Sequence, residues 1–330
     1  MTRKQLCKGV MILLSVICAG NIQAQDPHFS QFYASPIYLN PAFAGSAVCP
    51  RMVLNFRDQW PSITGTFVTY SAAYDQNFEK LSGGVGLLFM GDRAGQGTIN
   101  TNSISAMYSY KMDVTRKFSI RAALQATYQQ KSLNWDKLTF GDMIDEKYGF
   151  VYQTNEQRPG TLTKGYADFS AGFLGYTENF FGGFAVHHLT EPEEGFISIS
   201  KIPRKFTAHA GYIFDIRRKS RKMRSPTDIS ISPNILYQQQ MKFQQINYGF
   251  YFNRFPFVAG LWYRQNVKNS DAFIVLFGVQ QETFKFGYTY DLTVSKLTNV
   301  TGGAHEISFI YQFPCPKSKR RVRAINCPSF

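Results

Sequence analysis

Residues 284–293 alternate strictly between apolar and polar or small side chains. One face is aromatic or aliphatic and the other is not: Phe284, Phe286, Tyr288, Tyr290 and Leu292 against Lys285, Gly287, Thr289, Asp291 and Thr293. Successive side chains of a β-strand point to opposite faces, so this pattern predicts a strand with one oily face. After a polar break, residues 304–313 repeat the pattern. A soluble sheet can alternate in this way too, so the number of repeats and the residues that precede them decide between a soluble and a membrane fold.

The same alternation recurs about fourteen times between residues 51 and 313. Its clearest instances are residues 117–131 and 205–216, which have the length of a tilted membrane strand. A closed barrel is the sheet that leaves no unpaired strand edge in lipid. We therefore predict an all-β fold for residues 51–313, a transmembrane antiparallel β-barrel of about fourteen strands. Its apolar faces would contact membrane lipids, and its polar faces would line the lumen.

The N-terminus has the pattern of an export signal. Three basic residues precede the short apolar run 10–18, and Ala24 is a small residue suited to cleavage. The run is too short to span a bilayer, so we predict a signal peptide over residues 1–24 that is removed. Cys18 raises the alternative of a lipoprotein. The bulky Ile17 before it disfavours that alternative.

Composition is consistent with an exported membrane protein. The aromatic share is 16%, and the charged share of 18% is below the roughly 25% of ordinary soluble domains. The formal net charge of +14 could indicate a nucleic-acid partner. Export argues against nucleic acid, so acidic lipid head groups or an acidic protein surface are the better expectation.

Three cysteines would remain after signal removal: Cys49, Cys315 and Cys327. An odd number does not make a disulfide framework. Cys315 and Cys327 could close a small loop in an oxidising periplasm, or all three could be unrelated thiols.

Residues 25–50 form an N-terminal segment that is rich in proline and aromatic residues. Pro27, Pro36 and Pro41 are expected to prevent any regular strand or helix. The segment nevertheless carries more apolar surface than water would tolerate on an exposed tail. We expect it to enter from the periplasmic side and to plug the lumen or the periplasmic mouth. The predicted plug residues are Phe29, Phe32, Tyr33, Tyr38 and Phe43.

The parity of the strands predicts the orientation of the barrel. An even strand number places both termini in the periplasm and the long connections outside the cell. On this count the connection 217–226 and the tail 314–330 lie at the periplasmic rim, and both are basic. They form either a solvated charge run or a periplasmic docking surface. The residues of that predicted surface are Arg217, Arg218, Lys219, Arg221, Lys222, Arg224, Lys317, Lys319, Arg320, Arg321 and Arg323.

The longest connection, residues 132–164, falls on the extracellular side. It carries more aromatic surface than a solvated loop needs. The loop either docks a partner or folds over its own barrel to close it. The candidate docking residues are Trp135, Phe140, Met143, Tyr148, Phe150 and Tyr152.

The sequence offers little for catalysis or metal binding. His187 and His188, with nearby glutamates at 191, 193 and 194, suggest a metal site, but adjacent strand residues point to opposite faces. No nucleophile and base can be paired by spacing. His209 reads as a polar lumen residue. We predict no catalytic residue, metal site or cofactor.

Five stretches resemble the PorP/SprF family of the type IX secretion system. They are QDPHFSQFYASPIYLNPAFAG, FRDQWPSITGTFVTYSAAYD, GGVGLLFMGDRAG, SPNILYQQQMKFQQINYGFYFN and FGYTYDLTVSKLTNVTGGAHEISFIYQF. The resemblance implies an outer-membrane barrel without enzyme activity. It further implies work with type IX secretion, through periplasmic components of the system or through export and holding of a large surface adhesin of the gliding type. Such a client carries a type IX C-terminal domain. The tail after residue 313 lies beyond the matched region.

A porin or transporter for small solutes is the rival reading. Lumen-facing cations would then select anions: Lys117, Arg121, Lys205, Arg264 and Lys285. Polar lumen residues are expected in any such barrel, so they do not decide between the two readings.

Overall fold

The computed structural model describes residues 26–47, 49–95, 97–145, 147–217, 229–267, 270–294 and 301–315. The predicted signal peptide lies outside these residues. Seventeen strands follow one another along the chain. They are β1 Arg51–Gln59, β2 Phe67–Phe78, β3 Gly83–Ala94, β4 Ile99–Asp113, β5 Ser119–Leu133, β6 Ile144–Asp145, β7 Gly149–Phe150, β8 Thr163–Tyr176, β9 Phe180–His187, β10 Lys205–Tyr212, β11 Phe214–Arg217, β12 Ile229–Gln240, β13 Phe243–Arg254, β14 Phe257–Asn266, β15 Ser270–Gln280, β16 Phe284–Thr293 and β17 Ala304–Gln312.

The strands close into an antiparallel barrel of fourteen, which confirms the predicted fold class. Each barrel strand pairs with its neighbours in the chain, and β1 pairs with β17 to close the ring, Arg51 opposite Gln312 and Gln59 opposite Ala304. β10 and β11 together make one barrel strand, and β6 and β7 form a separate hairpin. The ring leaves no unpaired edge.

Alternation sorts the side chains of each strand between the two faces of the barrel. In β16, Phe284 is 40% exposed on the outer surface, whereas Thr289 is fully buried inside. The outer face exposes aromatic and aliphatic side chains, and the inner face carries polar ones. This is the arrangement that a lipid-facing barrel requires.

The two ends of the barrel differ in their connections. We call the end that holds Arg51 and Gln312 the terminal end, and the opposite end the loop end. The described turns at the terminal end are short, such as the two residues between β13 and β14, whose Phe255–Pro256 bond is cis. The longer connection between β11 and β12, at the same end, lies outside the described residues. The loop end carries the long connections 134–162 and 188–204. In the described part of the chain, no helix is long and apolar enough to cross a membrane.

Most predicted strand limits agree with the structure, and two depart from it for local reasons. The alternation predicts a strand over residues 65–76, but β2 begins at Phe67, because Gly65 takes a φ of +108°. The predicted continuous strand 205–216 is interrupted at Ile213, which turns inward and is 4% exposed. Its backbone N–H donates to the Asn179 carbonyl at 2.8 Å, and the register with β12 shifts just beyond it.

Candidate functional site: the filled lumen and the loop end

Residues 26–47, here the inner segment, lie inside the barrel. Its hydrogen bonds reach inward-facing groups of strands around the whole ring, from Arg57 on β1 to Glu306 on β17. A segment that touches every side of a closed ring must occupy the lumen. The five residues predicted as a plug are buried or nearly so: Phe29, Phe32, Tyr33, Tyr38 and Phe43.

Prolines and one capping residue shape the inner segment locally. Pro36 begins a single helical turn, α1 Pro36–Leu39, and Pro41 begins a 3₁₀ turn, Pro41–Phe43. Proline suits these first positions because its missing N–H would have no partner there. Asn40 joins the turns, and its side chain accepts a bond from the Ala42 N–H at 2.9 Å. The two turns therefore satisfy part of the segment's backbone within the segment itself.

A cluster of buried charges holds the start of the inner segment. Arg57 contacts Asp291 at 2.9 Å and Glu306 at 3.1 Å, and Arg264 contacts Asp291 at 3.0 Å. Ser30 lies at its centre, where its N–H donates to Glu306 at 2.6 Å and its hydroxyl donates to Asp291 at 2.6 Å. Both arginines also donate to the Ser30 hydroxyl oxygen. Each buried charge is paired, as burial requires.

Asn40 anchors the middle of the inner segment. Its amide donates to the Phe173 carbonyl at 3.1 Å and lies 3.3 Å from Nε2 of His209. His209 also stacks on Phe43 with ring centroids 5.3 Å apart. The predicted lumen residue His209 therefore contacts the inner segment.

The end of the inner segment packs on the terminal end of the barrel. Arg121 is fully buried and donates to the carbonyls of Ala44 and Gly45, each at 2.8 Å. Gly45 has a φ of +64°, and a Cβ on it would overlap the backbone of Gly84. The glycines of β3 thus permit a close approach between the segment and the wall.

At the loop end the first described residue is held by a chain of ionic contacts. Asp26 lies 2.9 Å from Nε2 of His188 and 3.5 Å from Lys205, and Asp168 lies 2.8 Å from Nδ1 of His188. Burial alone would lower the pKa of His188, but the carboxylates of Asp26 and Asp168 outweigh it and raise the pKa to about 10. For Asp26, burial acts to raise the pKa, and the His188 and Lys205 charges reverse this and hold it below its usual range.

This contact chain changes one sequence expectation, that the N-terminal segment enters the lumen at the same rim as the C-terminal tail. Asp26 lies at the opposite end of the barrel from Gln312, so the two ends of the described chain do not share a rim. The reason is that the inner segment runs the length of the lumen before β1 begins. His188 uses its ring nitrogens toward Asp26 and Asp168 rather than toward the glutamates at 191, 193 and 194. Within the described residues, no group of three or more His, Cys, Asp or Glu is placed to hold a metal ion.

Above the inner segment, a cavity of about 430 Å³ extends toward the loop end. Asp26, His28 and Tyr38 of the segment line it, and residues of β2, β3, β4, β5 and β8 form its walls. Burial lowers the pKa of His28 well below its usual range, with the Arg264 and Arg57 charges acting in the same direction. No described residue of 134–162 lines the cavity.

Residues 134–162, here the aromatic loop, lie at the loop end and include the β6–β7 hairpin. The carboxylate of Asp145 accepts bonds from the backbone N–H groups of Lys147 and Tyr148 and from the Tyr152 hydroxyl. These bonds lower the pKa of Asp145. The rings of Trp135 and Phe140 pack against each other at a tilt of 41°, with centroids 5.0 Å apart.

The outer part of the aromatic loop exposes its apolar side chains. Tyr148 is 71% exposed, Phe150 59% and Tyr152 56%. Trp135, Phe140 and Met143 are half-buried. A second exposed tip belongs to the 188–204 connection, where Ile197 and Ile199 are each 81% exposed.

The basic rim predicted from sequence is described only in part. Arg217 is exposed at the terminal end of β11. The other predicted members, at 218–224 and 317–323, lie outside the described residues. Of the lumen cations named for a transporter, Arg121, Arg264 and Lys205 are committed to the contacts given above.

The structure pairs Cys49 with Cys315 in a disulfide, with Cα atoms 4.5 Å apart. The Cys315–Cys327 pairing is therefore wrong, and so is the reading of three unrelated thiols. The cause is barrel closure, because the Phe313 N–H bonds to the Pro50 carbonyl at 2.9 Å and brings the two flanking chains together.

These observations define the class of protein, an outer-membrane β-barrel whose lumen is occupied by its own N-terminal residues. The chain belongs to the PorP/SprF family. Residues 21–311 match the family described as type IX secretion system membrane protein PorP/SprF.

Comparison with solved structures gives barrels at low sequence identity. The Ralstonia pickettii toluene transporter TbuX has a TM-score of 0.51 at 10% identity, over 84% of this chain and 93% of the transporter. The Acinetobacter baumannii outer membrane protein Omp33 has a TM-score of 0.46 at 7% identity, over 81% and 99%. The first likeness shows the barrel fold alone. A comparison with curated proteins found no match.

Proposed function

We propose that this protein is a non-enzymatic outer-membrane partner of type IX secretion that holds a large surface adhesin. Family membership supports the link to secretion. The inner segment supports a role other than conduction. In the described part of the barrel, its buried residues fill the lumen toward the terminal end and leave no continuous conduit for a polypeptide. We infer that the inner segment is a plug, and that the barrel works through its two rims.

The loop end would face the outside of the cell. The long connections 134–162 and 188–204 share this end, as the outer loops of bacterial barrels do. The terminal end would then face the periplasm. There Arg217 and the basic residues predicted around it would meet an acidic periplasmic component of the secretion system.

The aromatic loop would dock the adhesin through its type IX C-terminal domain. The observation that carries this proposal is the exposure of Tyr148, Phe150 and Tyr152, each more than half exposed on a loop that leaves the cavity uncovered. Tyrosine and phenylalanine are large, stiff side chains of the kind that dominate protein interfaces. Trp135, Phe140 and Met143 would support the docking residues from beneath.

Replacing residues 134–162 by a short turn in the native bacterium tests the proposal. We expect the barrel to reach the outer membrane at its normal level while the adhesin is lost from the cell surface and no longer co-purifies. An epitope inserted between Met241 and Lys242, in the short turn at the same end, is the matched control and should keep the adhesin. Normal adhesin retention by the loop-replaced barrel would refute the docking role.

A transporter of small solutes is the second candidate, and the 430 Å³ cavity is the observation that favours it. The same purified protein distinguishes the two. A transporter should conduct ions or small solutes in liposomes, whereas a plugged secretion partner should leave liposomes tight and co-purify with a large surface protein.

A further inference from the structure

The cavity above the inner segment is a long slot rather than a round pocket. Its lining extends over seven residues, or six steps, along each of three adjacent strands: Leu88 to Ala94, Ile99 to Ser105 and Gln125 to Lys131. At about 3.3 Å per residue, this is roughly 20 Å measured along the strands. A ligand that fills the slot must be elongated.

One wall of the slot is a ladder of hydrogen-bonding groups. Alternate residues of β4 and β5 supply hydroxyls and amides, namely Thr101, Ser103, Ser105, Gln125, Thr127 and Gln129. Gln125 is 9% exposed, and its Nε2 donates to Thr127 at 3.0 Å. Its Oε1 has no hydrogen-bond partner among the described residues. A buried acceptor of this kind costs free energy until a donor reaches it, so the wall is built to receive an N–H or O–H group.

Beside the ladder, the part of the slot lined by β3 and the β1–β2 connection is largely apolar. Leu88 and Met90 extend along β3, and Trp60 packs edge-on against Phe67 near the loop end, with centroids 5.6 Å apart. Tyr38 of the inner segment lies at the bottom of the slot. A polar ladder beside an apolar strip suits an extended peptide, whose backbone groups and side chains alternate with the same two-residue period.

Charge selects among peptides. Three of the four carboxylates of the slot have cationic partners, since Glu194 pairs with Lys131 at 2.8 Å, and Asp26 and Asp168 share His188. Asp92 differs. Its partner is the Thr69 hydroxyl at 2.6 Å, and no salt bridge reaches it in the part of the chain that the structure describes. Asp92 lies near the outer end of β3, beside the entrance.

We propose that this slot receives a short extended peptide of a protein partner, with a Lys or Arg side chain at its outer end that pairs with Asp92. Gln125 accepts a backbone N–H near the inner end. The identification of the partner as a secreted client rests on the proposed function. The recognition chemistry rests on the slot alone.

The test uses full-length protein purified from native outer membranes and three fluorescent pools of acetylated, amidated hexapeptides. The pools begin with Lys, Ala or Glu and are random thereafter, and binding is measured by fluorescence anisotropy. We expect the Lys pool to bind about tenfold more tightly than the Ala pool, with the Glu pool weakest, since a charged hydrogen bond to one carboxylate has that worth.

Two variants assign the residues. Asp92→Asn keeps a bond from Thr69 and should remove the difference between the Lys and Ala pools. Gln125→Leu should weaken all pools alike. Asp271→Asn, which removes a carboxylate on the outward face at the same end, is the matched control and should change nothing.

Several results would overturn the proposal: equal binding of the three pools, discrimination that survives Asp92→Asn, or competition by spermidine or maltohexaose as strong as that of the Lys pool. Competition by spermidine would identify a small-amine site instead, and competition by maltohexaose a sugar site. Because the assay needs no secretion, its failure leaves the adhesin test intact, and a failed adhesin test leaves the peptide result intact.

Discussion

The inner segment and the aromatic loop have similar aromatic content and opposite surroundings. Both are irregular and rich in aromatic residues. In the inner segment Phe32 is 4% exposed and packs on Trp262 with centroids 5.1 Å apart. In the aromatic loop Phe150 is 59% exposed and Tyr148 is 71% exposed. One region is covered by its own barrel, and the other is left open.

The difference shows how this chain divides structural from binding surface. Inside the lumen, polar atoms of Ser30 and Asn40 are bonded to the wall, and the ring of Phe32 meets that of Trp262. The aromatic loop satisfies its polar groups locally through Asp142 and Asp145 and leaves its rings outward. An apolar surface that a protein keeps exposed on an otherwise ordered loop is typical of an interface. Four experiments test this difference between the two regions.

The largest expected effect comes from deleting residues 26–47. A fourteen-strand barrel without its inner segment should hold a water-filled lumen, so a protein that is closed should become conducting. Planar-bilayer recordings measure the change, and heat-modifiable migration in electrophoresis verifies that the barrel has folded. If the unaltered protein already conducts as well as the deletion variant, the inner segment is not a plug.

A smaller effect, a loss of stability, is expected when the buried charge cluster is broken. Arg57→Met removes a partner from both Asp291 and Glu306, whose side chains are almost fully buried. Removing one member of such a cluster typically costs about 3–5 kcal/mol, because the remaining charges stay buried. Urea unfolding in micelles measures the free energy of unfolding. Arg254→Met, at an exposed arginine, is the control and should change it by less than about 0.5 kcal/mol.

How much of this could be read from the sequence follows from the range of each interaction. Strand alternation is local, so the all-β barrel and the faces of its strands were predictable from residues such as Phe286 and Thr289. The charge cluster was missed. Its members, Arg57, Asp291 and Glu306, each fall on a predicted inner face. They come from strands that are far apart in the sequence and become neighbours only when the barrel closes, so no single strand shows which of them meet. The Cys49–Cys315 bond was missed for the same reason, since it depends on ring closure.

The inner segment illustrates the same limit. Its apolar content predicts that it packs against something. The direction in which it runs is a property of the assembled lumen, because Asp26 reaches the loop end only through His188, Lys205 and Gln240. These three partners belong to three different parts of the chain.

The contact between Asp26 and His188 should give the inner segment a pH dependence. The folded pKa of His188, about 10, is above its ordinary value of 6.5. Its stabilising contribution is therefore fully present below pH 6.5 and is lost as the pH rises toward 10. Thermal unfolding at pH 6.5, 8 and 10 should show a steeper decline for the unaltered protein than for His188→Gln. Parallel declines would show that this histidine does not hold the segment through its charge.

The smallest effect on stability is expected in the aromatic loop, and it tests the contrast most directly because the same residue type is available in both regions. Phe150→Ala removes a ring that water already reaches, so the free energy of unfolding should change by less than about 0.5 kcal/mol. Phe32→Ala is its matched counterpart, and it should cost about 3–5 kcal/mol because it opens a cavity against Trp262. Adhesin retention should respond in the opposite order, with Phe150→Ala reducing it and Phe32→Ala affecting it only as far as barrel abundance falls. A large stability loss from Phe150→Ala would mean that the loop packs as part of the barrel, and its exposed rings would then no longer argue for a partner.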